Sequence, residues 1–121
     1  MRELTKAQEE IMHLIWDLGR CTVGDIRNEI EKRTGSKPPH STISTLTLAL
    51  NEAGYLKTEK YGRTWVYEPA IKREDYGQSS LQKLISKFFG NSPQKMLAHL
   101  IKREDLSLEE INDLMKKIEE E

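Results

Sequence analysis

Cysteine is almost absent. Cys21 is the only one in 121 residues, which excludes an internal disulfide and any cysteine-rich metal cage. Long apolar runs are also missing, so no segment is predicted to cross a bilayer. The opening Met1-Arg2-Glu3-Leu4-Thr5 lacks the basic-then-apolar pattern of a secretory signal. The chain therefore reads as cytoplasmic. Neither sign of charge is in useful excess: residues 1–70 carry ten basic and ten acidic side chains, and residues 71–121 carry nine and ten. Overall charge thus offers no argument for a nucleic-acid partner, and any such argument must come from local placement. Apolar residues make up 36% and charged residues 32%, which leaves a thin core in one compact domain or two small ones.

Catalytic hardware is lacking too. The histidines, His13, His40 and His99, are dispersed, and none has a second group paired with it by local spacing. There is no glycine-rich phosphate loop, metal-ligand spacing or nucleophile elbow. His13 lies off the inward stripe of its helix and reads as a surface residue; Cys21 reads as a semi-buried structural thiol. The expectation is a protein that is not an enzyme and carries no cofactor or metal.

Helical periodicity is plentiful. Leu4, Ile11, Leu14, Ile15 and Leu18 share one stripe, with Thr5 and Gln8 spaced as a capping box and Gly19 as the stop. A second helix is predicted from about Val23 to Arg33, with Val23, Ile26 and Ile30 inward, Thr22 as cap, Asp25 at the positive end and Gly35 as terminator. Lys37-Pro38-Pro39-His40 forms a stiff extended connection. A third helix follows from about Ser41 or Thr42 to Ala53, stopped by Gly54, with Ile43, Leu46, Leu50 and Ala53 inward. From Tyr55 the period changes to two. Tyr55–Lys60 and Thr64–Glu68 flank Tyr61-Gly62-Arg63, which supplies the glycine a tight hairpin needs, and Pro69 closes the second strand.

The remaining segment, 71–121, predicts three short amphipathic helices. The first aligns Leu81, Leu84, Ile85 and Phe88. The second opens with Ser92 as cap and Pro93 at its first position, and aligns Leu97, Leu100 and Ile101. The third opens on a Ser107/Glu110 capping box and aligns Leu108, Ile111, Leu114, Met115 and Ile118. These stripes are hard to bury within so small a unit, and pairing with a second copy would cover them. Glu119-Glu120-Glu121 is most simply a solvated tail.

The predicted fold is thus mostly α with a small β-hairpin: a winged helix-turn-helix over 1–70 and a helical dimerisation region over 71–121. A helix fits the major groove of a duplex while a hairpin beside it reaches phosphates or the minor groove. The outward face of the third helix carries Ser41, Thr42, Ser44, Thr45 and Leu48; hydroxyls can bond phosphates or base edges, and a leucine can meet a thymine methyl. Between residues 55 and 73 positive charge gathers on and just after the hairpin at Lys57, Lys60, Arg63, Lys72 and Arg73, against only Glu59 and Glu68. Arg63 at the hairpin tip is placed to enter a narrow minor groove or pair with a phosphate. Two readings stay open on the residues alone: a dimeric DNA-binding module, and a winged helix that binds protein without sequence-specific DNA binding.

Several stretches resemble the penicillinase-repressor (BlaI/MecI/CopY) group of regulators: Leu4–Met12 with Ile15-Trp16, then Ser41-Thr42-Ile43-Ser44-Thr45-Leu46, Gly54-Tyr55-Leu56 and Lys102–Ser107. The resemblance spans essentially the whole chain. It implies a homodimeric bacterial repressor on a palindromic operator, controlling a resistance or stress-response gene. It also implies, in the antibiotic-responsive branch, a membrane sensor metalloprotease whose signal leads to cleavage in the dimerisation region. This chain departs from the group's pattern in three places. His99-Leu100 stands where antibiotic-responsive members carry Asn-Phe, which weakens the case for cleavage there. Ser41, Ser44 and Ala49 stand where some members carry lysine or arginine, which implies a different operator. The cysteine-rich tail of the copper branch has no counterpart, which excludes copper sensing by that route.

Overall fold

The computed structural model describes residues 2–103, 107, 109–113 and 116. The elements run α1 (Lys6–Leu18), α2 (Val23–Thr34), α3 (His40–Glu52), β1 (Leu56–Tyr61), β2 (Thr64–Pro69), α4 (Arg73–Phe88) and α5 (Pro93–Arg103). Residues 109–113 are again helical. Two compact units result, Met1–Gln78 and Ser79–Glu121.

The starts of α1 and α2 are set by side chains within three residues of them. The Thr5 hydroxyl accepts the Gln8 amide at 3.2 Å and the Gln8 side chain accepts the Thr5 amide at 3.0 Å. Thr22 and Asp25 repeat the exchange at 3.1 and 2.9 Å. Each such cap is worth about 1 kcal/mol. Gly35 ends α2 with φ of 80°, a left-handed conformation that glycine adopts without steric cost. α3 begins at His40, one residue earlier than its hydroxyl residues suggest; its cap position is Pro39, which makes no side-chain cap bond.

The three helices close on one core. Met12 and Ile15 of α1, Ile26 of α2, Leu50 of α3 and Tyr55 are fully buried, with Ile43 nearly so. Burial of each large apolar side chain contributes roughly 1.5–3 kcal/mol. On α3 the buried stripe is Ile43, Thr47 and Leu50. Leu46 and Ala53, expected inward, pack at its margin. Thr47 can take the central place because its hydroxyl donates to the Ser44 carbonyl at 2.9 Å, leaving only its methyl to pack.

The strands pair antiparallel, with Leu56 opposite Pro69, Thr58 opposite Tyr67 and Lys60 opposite Trp65. Gly62 and Arg63 form the two-residue connection; φ of 62° at Gly62 meets the demand of a type II′ turn at its first central position. The α1–α2 connector adds a short third edge, since Cys21 and Tyr67 exchange backbone hydrogen bonds of 2.7 and 2.8 Å. The first turn of α4 is tied to α1. Trp16 Nε1 donates to the Ile71 carbonyl at 2.9 Å, the Tyr76 hydroxyl donates to Glu9 at 3.0 Å, and Arg73 reaches Asp17 at 2.7 Å.

In the second unit, Ser92 Oγ accepts the Lys95 amide at 3.2 Å with Pro93 opening α5, and Ser107 Oγ accepts the Glu110 amide at 3.1 Å. Ile85, Leu97 and Ile101 are half-buried and Ile111 is buried. Leu81, Leu84, Phe88 and Leu100 are exposed, Phe88 by 71%. Leu108, Leu114, Met115 and Ile118, and the acidic tail, lie outside the described residues.

Candidate nucleic-acid interface

Ser41, Thr42, Thr45 and Leu48 all lie exposed on α3, with Ser44 half-buried beside them. Leu48 is 54% exposed, so its size is not accounted for by the core. Thr45 donates its hydroxyl proton to the Ser41 carbonyl at 2.8 Å, which leaves the oxygen as an acceptor on the outer face.

Strand register decides which hairpin side chains join this face. Side chains alternate across a strand, so Leu56, Thr58 and Lys60 share one face with Pro69, Tyr67 and Trp65. Leu56 and Tyr67 are the buried members; Lys60 and Trp65 continue their row outward beyond the core. Lys57 falls on the opposite face, directly across from Glu68. Between the hairpin and the helices lies a cleft of about 390 Å³. Its walls are the start of α2 (Thr22–Gly24), His40 and Ser44 of α3, and Arg63–Trp65 with Tyr67. None of these lining residues is acidic.

Charge pairing sharpens the local excess. The hairpin's Glu59 is engaged: Arg20 Nη2 lies 2.6 Å from its carboxylate, and the Tyr61 hydroxyl donates to the same oxygen. The Tyr61 hydrogen bond, then Arg20, holds the Glu59 carboxyl below its ordinary range. Arg20 also donates to the Tyr61 hydroxyl and lies over its ring. Arg73 is likewise engaged. It donates to Asp17 and to the His13 carbonyl and lies 5.5 Å from the Trp16 ring centroid. Among the described residues, Lys57, Lys60 and Arg63 have no carboxylate within ion-pair distance. The Lys60 ammonium instead sits 5.4 Å from the centre of the Trp65 ring. Of the five basic residues counted on and after the hairpin, Lys57, Lys60, Arg63 and Lys72 thus form no ion pair among the described residues, whereas Arg73 does.

Sequence reasoning missed three participants: Arg20, which neutralises Glu59 from 39 positions away; Trp65; and the cleft-lining His40. A signal for Trp65 was present, since it is two residues from Tyr67 and must share its face. Elsewhere the chemistry is quiet. Cys21 is buried, and burial with the nearby Asp25 charge pushes its thiol up to about 11. His13 is exposed, edge-on to Trp16 at 5.2 Å, and His99 lies tilted against Phe89 with ring centres 6.0 Å apart.

Three helices closed by a hairpin, with the third helix and the hairpin flanking one cleft, define a winged helix-turn-helix protein. The penicillinase repressor family model matches residues 4–120, and the chain belongs to that family. It is 30% identical over 118 residues to the penicillinase repressor of Bacillus licheniformis, covering 98% of this chain and 91% of that one. To the methicillin resistance regulatory protein MecI of Mammaliicoccus sciuri it is 25% identical over 112 residues, covering 93% and 89%. Among solved structures it resembles the DNA binding domain of the repressor BlaI, with a TM-score of 0.51 and 30% identity over 63% of this chain and 94% of that one. It also shares the fold of RosR from H. salinarum, with a TM-score of 0.56 and 21% identity over 86% of this chain and 94% of that one. No helix among the described residues is long and apolar enough to cross a membrane.

Proposed function

We propose that this protein is a DNA-binding transcriptional repressor that acts as a homodimer on a palindromic operator controlling a resistance or stress-response gene. The observation that carries the reading is a cleft with no acidic lining residue, in which Arg63 and Trp65 of the hairpin stand opposite His40 and Ser44 of α3, beside an outer α3 face of exposed hydroxyls and one exposed leucine. Kinship with repressors, one of them represented by its DNA binding domain, supports it. In this reading Ser41, Thr42, Ser44, Thr45 and Leu48 enter the major groove, and Lys60 and Arg63, with Lys57 on the outer face of the hairpin, meet phosphates or the minor groove.

Dimerisation is supported by the apolar side chains left open on α4 and α5. Pairing through them would set two reading helices about one DNA turn, roughly 34 Å, apart. The resemblance also brings in a membrane sensor metalloprotease as an upstream partner. His99 and Leu100 lie exposed inside α5, so a cut there requires that helix to open locally.

The test is selection from a random duplex pool, followed by sedimentation. A recovered palindrome, a dimer at micromolar concentration and a log–log salt slope of about −7, for about four phosphates per subunit, are expected. A monomer that retains no duplex, or a salt-insensitive protein partner, would replace this reading with a protein-binding module.

A further inference from the structure

Trp65 is a large aromatic residue that the core does not use. It is 49% exposed, yet the register holds it on the row that includes buried Tyr67 and Leu56, so it faces the cleft beside α3. Its cross-strand neighbour Lys60 places an ammonium 5.4 Å from the ring centre, and Arg63 lines the same cleft from the turn. Ser44 and Thr22 supply hydroxyls on the facing walls, and His40 an imidazole. The cleft thus has one flat apolar wall, Arg63 at the turn, Lys60 over the aromatic ring that forms the wall, hydroxyls and an imidazole opposite, and no carboxylate among its lining residues. That combination suits a chain of alternating apolar rings and anions.

We infer that one strand of a DNA duplex runs through this cleft, with Trp65 packing against a deoxyribose and Lys60 paired with an adjoining phosphate. The inference rests on the DNA-binding reading and deepens it. The wing grips the backbone of one strand through an aromatic wall as well as through charge, and this grip is independent of base sequence. Lys60 is held ready by the ring it lies over, so its charge and the apolar wall engage the same nucleotide. The apolar part of the grip releases no counterions, so it has a different salt signature from an ion pair.

The full-length chain is titrated with a random-sequence 30-base-pair duplex across a salt series, comparing wild type with Trp65→Ala, Trp65→Phe and Lys60→Gln. The half-exposed position of Trp65 lets each variant keep the core, and matching melting curves verify this. Trp65→Ala is expected to lower affinity about tenfold, a change typical of a buried aromatic anchor, with the salt slope unchanged. Trp65→Phe should recover most of the loss. Lys60→Gln should flatten the slope by about one per subunit. In a Trp16→Phe background, Trp65 is the sole tryptophan and its emission should change on binding. If wild type binds with steep salt dependence while Trp65→Ala binds equally well and the emission stays constant, the backbone does not pass this wall, and the inference fails with DNA binding intact. If wild type binds no duplex at any salt concentration, the DNA-binding reading fails and takes the inference with it.

Discussion

The two compact units solve the burial problem differently. In Met1–Gln78, fourteen apolar side chains from all three helices, their connectors and both strands, with the first turn of α4, form one buried cluster. In Ser79–Glu121, Ile111 alone among the described residues is a buried apolar side chain, while Leu81, Leu84, Phe88 and Leu100 stay open. Both segments have well-formed caps and amphipathic stripes, so local helix propensity does not separate them. What separates them is how many stripes face one another. Three helices and a hairpin enclose a volume; a unit of about 40 residues falls at the size below which chains need outside help to fold. The first unit closes on its own side chains, while the described residues of the second leave most of their apolar stripes open.

The severest way to break this contrast is to cut it. Residues 1–78 alone are expected to melt in one cooperative step, to remain monomeric, and to bind a two-half-site duplex at least about a hundredfold more weakly than the whole chain, because the linked second half-site is lost. Calorimetry and gel shift check both halves of that statement. Phe88→Glu should produce nearly the same loss with the chain intact. Burial of an unpaired carboxylate at a subunit seam costs several kcal/mol, so sedimentation should show a monomer at low micromolar concentration while the melting of the first unit holds. An intact dimer would place the seam elsewhere than α4.

Arg63→Ala acts within the first unit and has a smaller effect: several-fold weaker binding to every duplex, and a salt slope flatter by about one per subunit. A slope that does not move would take the turn out of the interface. The smallest effect concerns Asp17, whose carboxyl is held below its ordinary range by hydrogen bonds from Arg73 and then Arg33. A depressed carboxyl stabilises the fold above its unfolded value of about 3.9, and that contribution is lost as pH falls through the folded value. Asp17→Asn should therefore melt slightly lower than wild type at pH 7, and the two melting curves should converge as pH drops below about 4.

Much of the first unit could be read directly from the residue order because its signals are local. Thr5 with Gln8 and Thr22 with Asp25 lie three residues apart and bond as their spacing implies. Gly62 marks the turn, and Leu48 stands outside as the 3.6-residue period requires. What stayed hidden depends on partners brought together by the fold. Arg20 meets Glu59 across 39 positions and Arg73 meets Asp17 across 56, and no periodicity encodes either pair. Thr47 was hidden for another reason. A threonine reads as polar until its hydroxyl finds the Ser44 carbonyl, after which it packs as an aliphatic residue. The candidate interface was legible on α3, where helix phase fixes exposure. On the hairpin it was half legible, because composition counts charges without saying which face each occupies or which are already neutralised.

The connector between α1 and α2 carries one last consequence. By pairing with Tyr67 it seals Cys21 inside the sheet edge, where burial pushes the thiol up to about 11 and leaves little of it ionised at neutral pH. Oxidants and electrophiles attack the ionised form, so this sulfur is deaf to them. While that edge stays paired, cysteine chemistry is a poor entry point for any signal to this unit.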